Sequence, residues 1–338
     1  MTENSPILEV KNLKKYFPIE KGILRRVVGN VKAVDDLSFH IHAGKTLGLV
    51  GESGSGKTTV GHCVIRAYDI TDGEIIFRPN DKDVELGHLS RKELRPYRKH
   101  MQMIFQDPYS SLDPRKTVFD IISEPLRINK THSGKALENR VRELLELVGL
   151  EVKYMKRYPH AFSGGQRQRL GIARALALNP KVIICDEAVS ALDVSVQAQI
   201  INLLVDLQKE FGLTYLFIAH DLSVIEHISD EVMVMYVGRV MEYADTQELF
   251  RNPKHPYTEA LMKSIPIPDP DRPLLDEDEV VGELPDPANP PTGCYFHPRC
   301  KYAQQICREK TPPLMQVGDN HTSACHFADE LELQGLII

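Results

Sequence analysis

The sequence predicts an α/β protein built on a mainly parallel sheet, with an inserted α-helical subdomain and a small cysteine-bearing extension at its C-terminal end. Three observations predict this. A strand-like apolar run, Thr46-Leu47-Gly48-Leu49-Val50, enters a glycine-rich loop, Gly51-Glu52-Ser53-Gly54-Ser55-Gly56-Lys57-Thr58-Thr59, and Val60–Tyr68 then reads as a helix. A second apolar run, Lys181-Val182-Ile183-Ile184-Cys185, ends in the adjacent acids Asp186 and Glu187. Downstream of Ser163, helical and strand-like segments alternate, the pattern of parallel strands joined by crossover helices.

The elements follow in order. Ile7–Leu13 alternates and reads as a strand, Pro18–Asn30 as a loop or hairpin insertion, and Val31–Ile41 as a second strand. His42-Ala43-Gly44-Lys45 turns into the strand before the glycine-rich loop, and Gly73–Arg78 is another short strand. Ser90–Arg98 is polar and helical, and its basic side chains suit a solvated helix face better than a nucleic-acid patch. It leads into Met101–Pro108, a buried-type strand ending on Gln106 and broken at Pro108. Val118–Leu126 and Leu137–Val148 are helical by periodicity, the second with Val141, Leu144, Leu145 and Val148 on one face and Gly149 as its C-cap. Ser163 caps a helix running to Leu178. Gln197–Phe211 is a long helix, Thr214–Ile218 a strand, Ser223–His227 the start of a short helix, and Glu231–Tyr236 with Arg239–Tyr243 a hairpin across Val237-Gly238. Tyr257–Ser264 is helical. Ile265–Thr292 holds eight prolines and the acidic run Asp276–Glu279, the composition of a linker or extended wrap. The divisions expected are an α/β unit over 6–250 with its helical part near 107–178, a helix and linker over 251–292, and a four-cysteine extension over 293–338.

Composition excludes some classes. The formal net charge of −6 gives no basic field for nucleic acid. No apolar run reaches the roughly 18 residues a membrane helix needs, and Met1–Pro6 lacks the pattern of a secretory signal. A cytosolic chain whose membrane role comes through partners is expected. Four of the six cysteines fall in the last 45 residues, which in the cytosol argues for metal before disulfide.

The chemistry follows from the two apolar runs. Gly51, Gly54 and Gly56 let successive backbone N–H groups face phosphate oxygens, and the following helix adds its positive end. Lys57 can reach β- and γ-phosphates, and the Thr58 hydroxyl can ligate Mg²⁺. A chance Gly/Ser turn, the competing reading, would not be flanked by strand and helix. Asp186 and Glu187, at the sheet's carboxyl edge, suit Mg²⁺ binding and water activation respectively. Ser163-Gly164-Gly165-Gln166, after Phe162, is a second anion-type site at a helix start.

This ordered set resembles the nucleotide-binding subunit of ATP-binding cassette (ABC) transporters: the phosphate loop, glutamine loop (Gln106), signature (Ser163–Gln166), acidic strand end (Val182–Glu187), Ser190-Ala191-Leu192-Asp193, and switch histidine (His220). Phe162 stands where leucine is commoner in the signature. The resemblance covers about residues 6–250. It implies a head-to-tail sandwich, with Mg-ATP on Gly51, Ser53, Gly54, Ser55, Gly56, Lys57, Thr58 and Thr59 of one subunit closed over by Ser163, Gly164, Gly165 and Gln166 of the other. It implies Phe17, beside Tyr16, stacking on adenine, although a core role serves the ring equally well. Gln106 would sense γ-phosphate and the transmembrane partner and help hold Mg²⁺ with Thr58 and Asp186, His220 would contact γ-phosphate beside the base Glu187, and Asp193 would communicate across the dimer.

Cys294, Cys300, Cys307 and Cys325 are spaced C-x5-C-x6-C-x17-C, looser than usual for zinc, and four thiolates also suit a [4Fe–4S] cluster. Four unrelated buried cysteines are the competing reading. With Asn289-Pro290-Pro291-Thr292, Pro253–Thr258, Met101–Pro108 and Ser111–Arg115, the tail is similar to the oligopeptide/dipeptide class of importers, F-type subunit. That resemblance implies a [4Fe–4S] cluster on the four cysteines, with Zn²⁺ as the alternative and His297, His321 and His326 ranked lower as ligands. It implies a D-type ATPase partner, two transmembrane permeases and an extracytoplasmic peptide-binding protein, at the cytoplasmic face of the inner membrane. Importers of nickel chelates or glycosides share the architecture. A soluble ABC ATPase of nucleic acid or ribosomes is disfavoured, because the chain carries one cassette and only about a hundred residues between Lys57 and Ser163.

Overall fold

The computed structural model describes residues 5–22, 25–80, 82–264 and 284–336. Among these the strands, in chain order, are β1 (Leu8–Lys21), β2 (Arg26–Ile41), β3 (Thr46–Val50), β4 (Asp72–Phe77), β5 (Val84–Glu85), β6 (Met101–Ile104), β7 (Val182–Asp186), β8 (Thr214–Ile218), β9 (Glu231–Tyr236), β10 (Arg239–Asp245), β11 (Met315–Gly318) and β12 (His321–Ser323). They form a four-stranded sheet, β2-β1-β4-β5, and an eight-stranded sheet, β11-β12-β10-β9-β3-β8-β7-β6. The strands β9, β3, β8, β7 and β6 pair in parallel. Every residue of β3, β7 and β8 is buried, which is why these runs are continuously apolar instead of alternating. The small sheet is antiparallel throughout.

Alternate residues of the large sheet feed two cores. On one face the helix Lys57–Val64 packs between the sheets, with Val60 and Cys63 joining Leu8, Phe39, Ile184 and Ile218. On the other, the helices Gly164–Leu176, Val194–Phe211 and Leu222–Ile228 supply Leu170, Leu204 and Ile225 against Ile183, Tyr215 and Val232. The helices Val118–Ile128 and Gly134–Leu147 pack on each other and on Gly164–Leu176, burying the expected stripe Val141, Leu144, Leu145 and Val148. Full burial of each such side chain contributes about 1.5–3 kcal/mol.

Several expectations change in detail. Of the two readings of Pro18–Asn30, the hairpin is the one found among the described residues: it extends the β1–β2 pair, with Phe17 opposite Val31 and Pro18 opposite Asn30. Pro18 is tolerated because β4 pairs with β1 only as far as Lys14, leaving the far edge open there. The helix after the phosphate loop starts at Lys57 and ends at Val64, short of Tyr68. Arg66 has left the helical region, at φ 54°, and its guanidinium bonds the Leu86 carbonyl. The strand expected to end on Gln106 stops at Ile104, the last residue paired with β7, so Gln106 stands free of the sheet. The four-cysteine extension packs on the large sheet. β12 pairs with β10, and Phe296 is buried against Tyr236 and Tyr257. Most of the proline-rich stretch, 265–283 with its acidic run, lies outside the described residues.

Candidate functional site

The phosphate loop leaves the carboxyl end of β3 and opens the helix Lys57–Val64. Two of its glycines are required by close approach. A Cβ on Gly51 (φ 153°) would stand 2.2 Å from the Met235 carbonyl oxygen, and one on Gly56 (φ 105°) 2.1 Å from that of Ala33. Lys57 is buried and folds back over the loop, its Nζ donating to the carbonyls of Gly51 (2.7 Å) and Glu52 (2.9 Å). Burial lowers its pKa, while Glu187, Asp186 and Glu52 pull the other way. Ser53 and Gly54 are exposed, Ser55 is buried, and Thr59 lies in the first turn of the helix.

Three strand ends converge on this loop. The Thr58 hydroxyl donates to Asp186 Oδ1 at 2.9 Å, so the two expected Mg²⁺ ligands touch. Burial raises the pKa of Asp186, the situation a bound cation would reverse. Glu187 follows β7 at φ 46°, a left-handed backbone held by its N–H bond to the Ile218 carbonyl and by Ser190 closing on its carbonyl. This strained turn aims the carboxylate across the sheet edge. Gln106 Nε2 donates to Glu187 Oε2 at 2.7 Å, and His220 Nδ1 lies 3.4 Å from the same oxygen. Gln106 thus reaches the acid beside Asp186, and no hydrogen bond ties it to Thr58 or Asp186. Residues separated by over a hundred positions meet here because β6, β7 and β8 are neighbours.

The signature and Asp193 form a second group. Ser163 Oγ accepts from the Gln166 N–H at 3.3 Å, and Gln166 Oε1 accepts from the Ser163 N–H at 3.1 Å, a reciprocal cap. Gly165 serves packing as well as exposure of N–H groups: a Cβ there would lie 2.4 Å from Val196 Cγ1. Leu192 borders Gly164, so the signature and the Asp193 turn are packed together. Asp193 is exposed at the start of Val194–Phe211, and its side chain makes no capping bond. Phe17 is half-buried, edge-on to Tyr68 with ring centroids 5.7 Å apart, and Lys15 Nζ stands 4.7 Å from the ring.

Sequence reasoning missed three residues around the loop. Tyr257 and Arg299 both meet Glu52, and Tyr236 joins Arg299. They lie some two hundred residues from the loop, and no local pattern links them.

None of the six cysteines is in a disulfide. Cys294, Cys300, Cys307 and Cys325 line one cavity with His255 and Phe296. Burial pushes the Cys300 thiol up to about 12 and that of Cys325 up to about 11, and Cys300 also feels Cys294, Cys325 and Cys307. Buried His255 accepts at Nδ1 from the Tyr257 N–H. Among the described residues, no three His, Cys, Asp or Glu side chains converge closely enough for a single metal ion. The lower-ranked histidines each have a ring nitrogen engaged: His297 with the Cys294 carbonyl, His326 with that of Lys310, and His321 with Glu242.

Residues 34–190 match the ABC transporter family, and residues 241–307 match the oligopeptide/dipeptide transporter C-terminal region. The chain is 53% identical to the oligopeptide transport ATP-binding protein AppF of Bacillus subtilis, over 95% of this chain and 97% of that one. It is 48% identical to the dipeptide transport ATP-binding protein DppF of Haemophilus influenzae, over 97% and 98%. Its fold resembles the ATP-binding cassette MJ0796, solved as a dimer in a post-hydrolysis state with ADP and Pi, at TM-score 0.62 and 28% identity over 71% of this chain and 98% of that one. With the phosphate loop, its acids and the cysteine-bearing tail all in place, the chain belongs to the ATP-binding subunits of oligopeptide and dipeptide ABC transporters, a family of ABC-type ATPases.

Proposed function

We propose that this ATPase energises import of oligopeptides or dipeptides. The observation that carries the catalytic part is the convergence of Gln106 and His220 on one carboxylate oxygen of Glu187, next to the Thr58–Asp186 pair at the phosphate loop. Gly51–Thr59 hold the phosphates, and Thr58 and Asp186, with Gln106 as a further oxygen donor, hold Mg²⁺. Glu187 takes a proton from water as the water oxygen bonds to the γ-phosphorus. The bond from that phosphorus to the bridging oxygen breaks, and ADP leaves with the electron pair. Ser163–Gln166 and Asp193 close over the nucleotide of a partner ATPase. The dimeric form of the solved cassette supports that arrangement.

The partner is a D-type ATPase, and closure of the pair drives two membrane permeases supplied with peptide by an extracytoplasmic binding protein. Among the described residues no helix is long and apolar enough to cross a membrane, which accords with peripheral attachment at the cytoplasmic face. The names of the relatives, oligopeptide and dipeptide transport proteins, support the substrate class. Membrane vesicles carrying the whole transporter are expected to take up peptide only with Mg-ATP inside. Uptake of a nickel chelate or glycoside but not peptide would overturn the substrate assignment.

Cys294, Cys300, Cys307 and Cys325, which line one cavity, are inferred to hold a [4Fe–4S] cluster, ahead of zinc, whose structural sites usually show tighter C-x2–4-C pairs than this spacing. Such a group would staple the extension to the sheet through the segments around Phe296 and Cys325. Iron, sulfide and zinc analysis of anaerobically purified protein tests this. About four irons and four sulfides per chain are expected, and stoichiometric zinc without sulfide would refute it.

A further inference from the structure

The phosphate loop is held from outside the nucleotide site. Arg299, between Cys294 and Cys300 in the extension, places Nη1 2.9 Å from Glu52 Oε2, and the same nitrogen lies 3.2 Å from the Tyr236 hydroxyl. The Arg299 side chain is 7% exposed and that of Glu52 27%. The Glu52 N–H donates to the Tyr257 hydroxyl at 2.8 Å, and the Glu52 carbonyl accepts from Lys57 Nζ at 2.9 Å. Tyr257 is itself locked by Tyr236 and Phe296, at centroid distances of 4.7 and 5.2 Å. One loop residue is therefore tied by side chain, N–H and carbonyl, and its carbonyl touches the lysine that must reach the phosphates.

Physical reasons make this more than packing. The loop has glycines at positive φ at Gly51, Gly54 and Gly56, so its backbone has wide freedom that nucleotide binding must remove. A tether that removes it beforehand strengthens binding. A buried guanidinium needs its carboxylate partner, so Arg299 holds Glu52 firmly instead of exchanging it for water. We infer that Arg299 is a positioning residue for nucleotide binding: carried by the cysteine-bearing extension, it fixes Glu52 and thereby the phosphate loop. The inference rests on the ATPase assignment, not on the identity of the metal.

The test measures the Kd for Mg-ATP on the full-length chain, with iron and zinc content recorded for each variant. Glu52→Gln and Arg299→Met are each expected to raise Kd about five- to tenfold, the net weight of one typical hydrogen bond. The double variant should be no weaker than the weaker single variant, because both break the same link. Arg299→Lys should restore at least half of the lost affinity. Glu52→Gln leaves the extension intact and decides the matter even where Arg299→Met fails to fold. A Kd within about twofold of the unaltered chain in Glu52→Gln, or effects that multiply in the double variant, would overturn the inference. Failure of the unaltered chain to bind Mg-ATP would instead overturn the ATPase assignment, and this inference with it.

Discussion

Replacing Glu187 with glutamine separates binding from chemistry. The amide keeps the size of the carboxylate, and its carbonyl oxygen can still accept from Gln106 Nε2, now at 2.7 Å. Thr58 and Asp186 are untouched, so the proposed metal ligands stay in register. The substitution removes the group able to take a proton from water, an effect of about 10²–10⁴ in rate, or about 3–5 kcal/mol of barrier. It also removes one negative charge beside the phosphates, so affinity for Mg-ATP should hold or improve. His220→Ala should cost less, about tenfold, because its ring is 56% exposed and lies 3.4 Å from the carboxylate, longer than a hydrogen bond. Phosphate release at saturating Mg-ATP in the whole transporter, together with nucleotide binding to the same preparation, measures both effects. A kcat for Glu187→Gln within about threefold of the unaltered enzyme, with binding intact, would show that another group activates the water.

Asp186→Asn keeps an acceptor for the Thr58 hydroxyl but loses the charge that holds Mg²⁺. ATP affinity in the presence of Mg²⁺ should fall about tenfold or more while affinity in EDTA is unchanged, and equal losses in both conditions would refute the metal role. Away from the site, Arg78 and then Lys11 hold the carboxyl of Glu9 below its ordinary value of 4.5. A carboxylate with a lowered pKa stabilises the fold above its unfolded pKa and loses that contribution as pH falls through the folded one. Glu9→Gln should therefore cost about 0.5–1 kcal/mol at pH 7, modest because the group is partly exposed, and less at pH 3. Urea unfolding at the two pH values measures this, and a difference independent of pH would refute the linkage.

The phosphate loop, the acidic strand end and the burial stripe of Gly134–Leu147 were legible because each is a local pattern: a spacing, an apolar run or a helical period. Ser163 as a cap was legible for the same reason, since the reciprocal bonds with Gln166 span only three residues. Element ends were less so. Whether Met101–Pro108 would leave the sheet at Ile104 or at Gln106 depends on how far β7 runs beside it, which no property of the segment itself reveals.

By itself, the sequence determined the class of fold, and it marked the candidate residues for phosphate and metal and the four cysteines as a set. Short-range chemistry carries that information: glycine's access to positive φ, the helix period, the apolar run of a buried parallel strand. Only the tertiary structure decided that Gln106 and His220 share one oxygen of Glu187, because that requires the order β8-β7-β6 in the sheet. It alone joined the extension to the nucleotide loop, through β12 on β10 and Arg299 on Glu52. Contacts across some two hundred residues arise from sheet order and packing, and two side chains that meet this way leave no periodic trace in the chain between them.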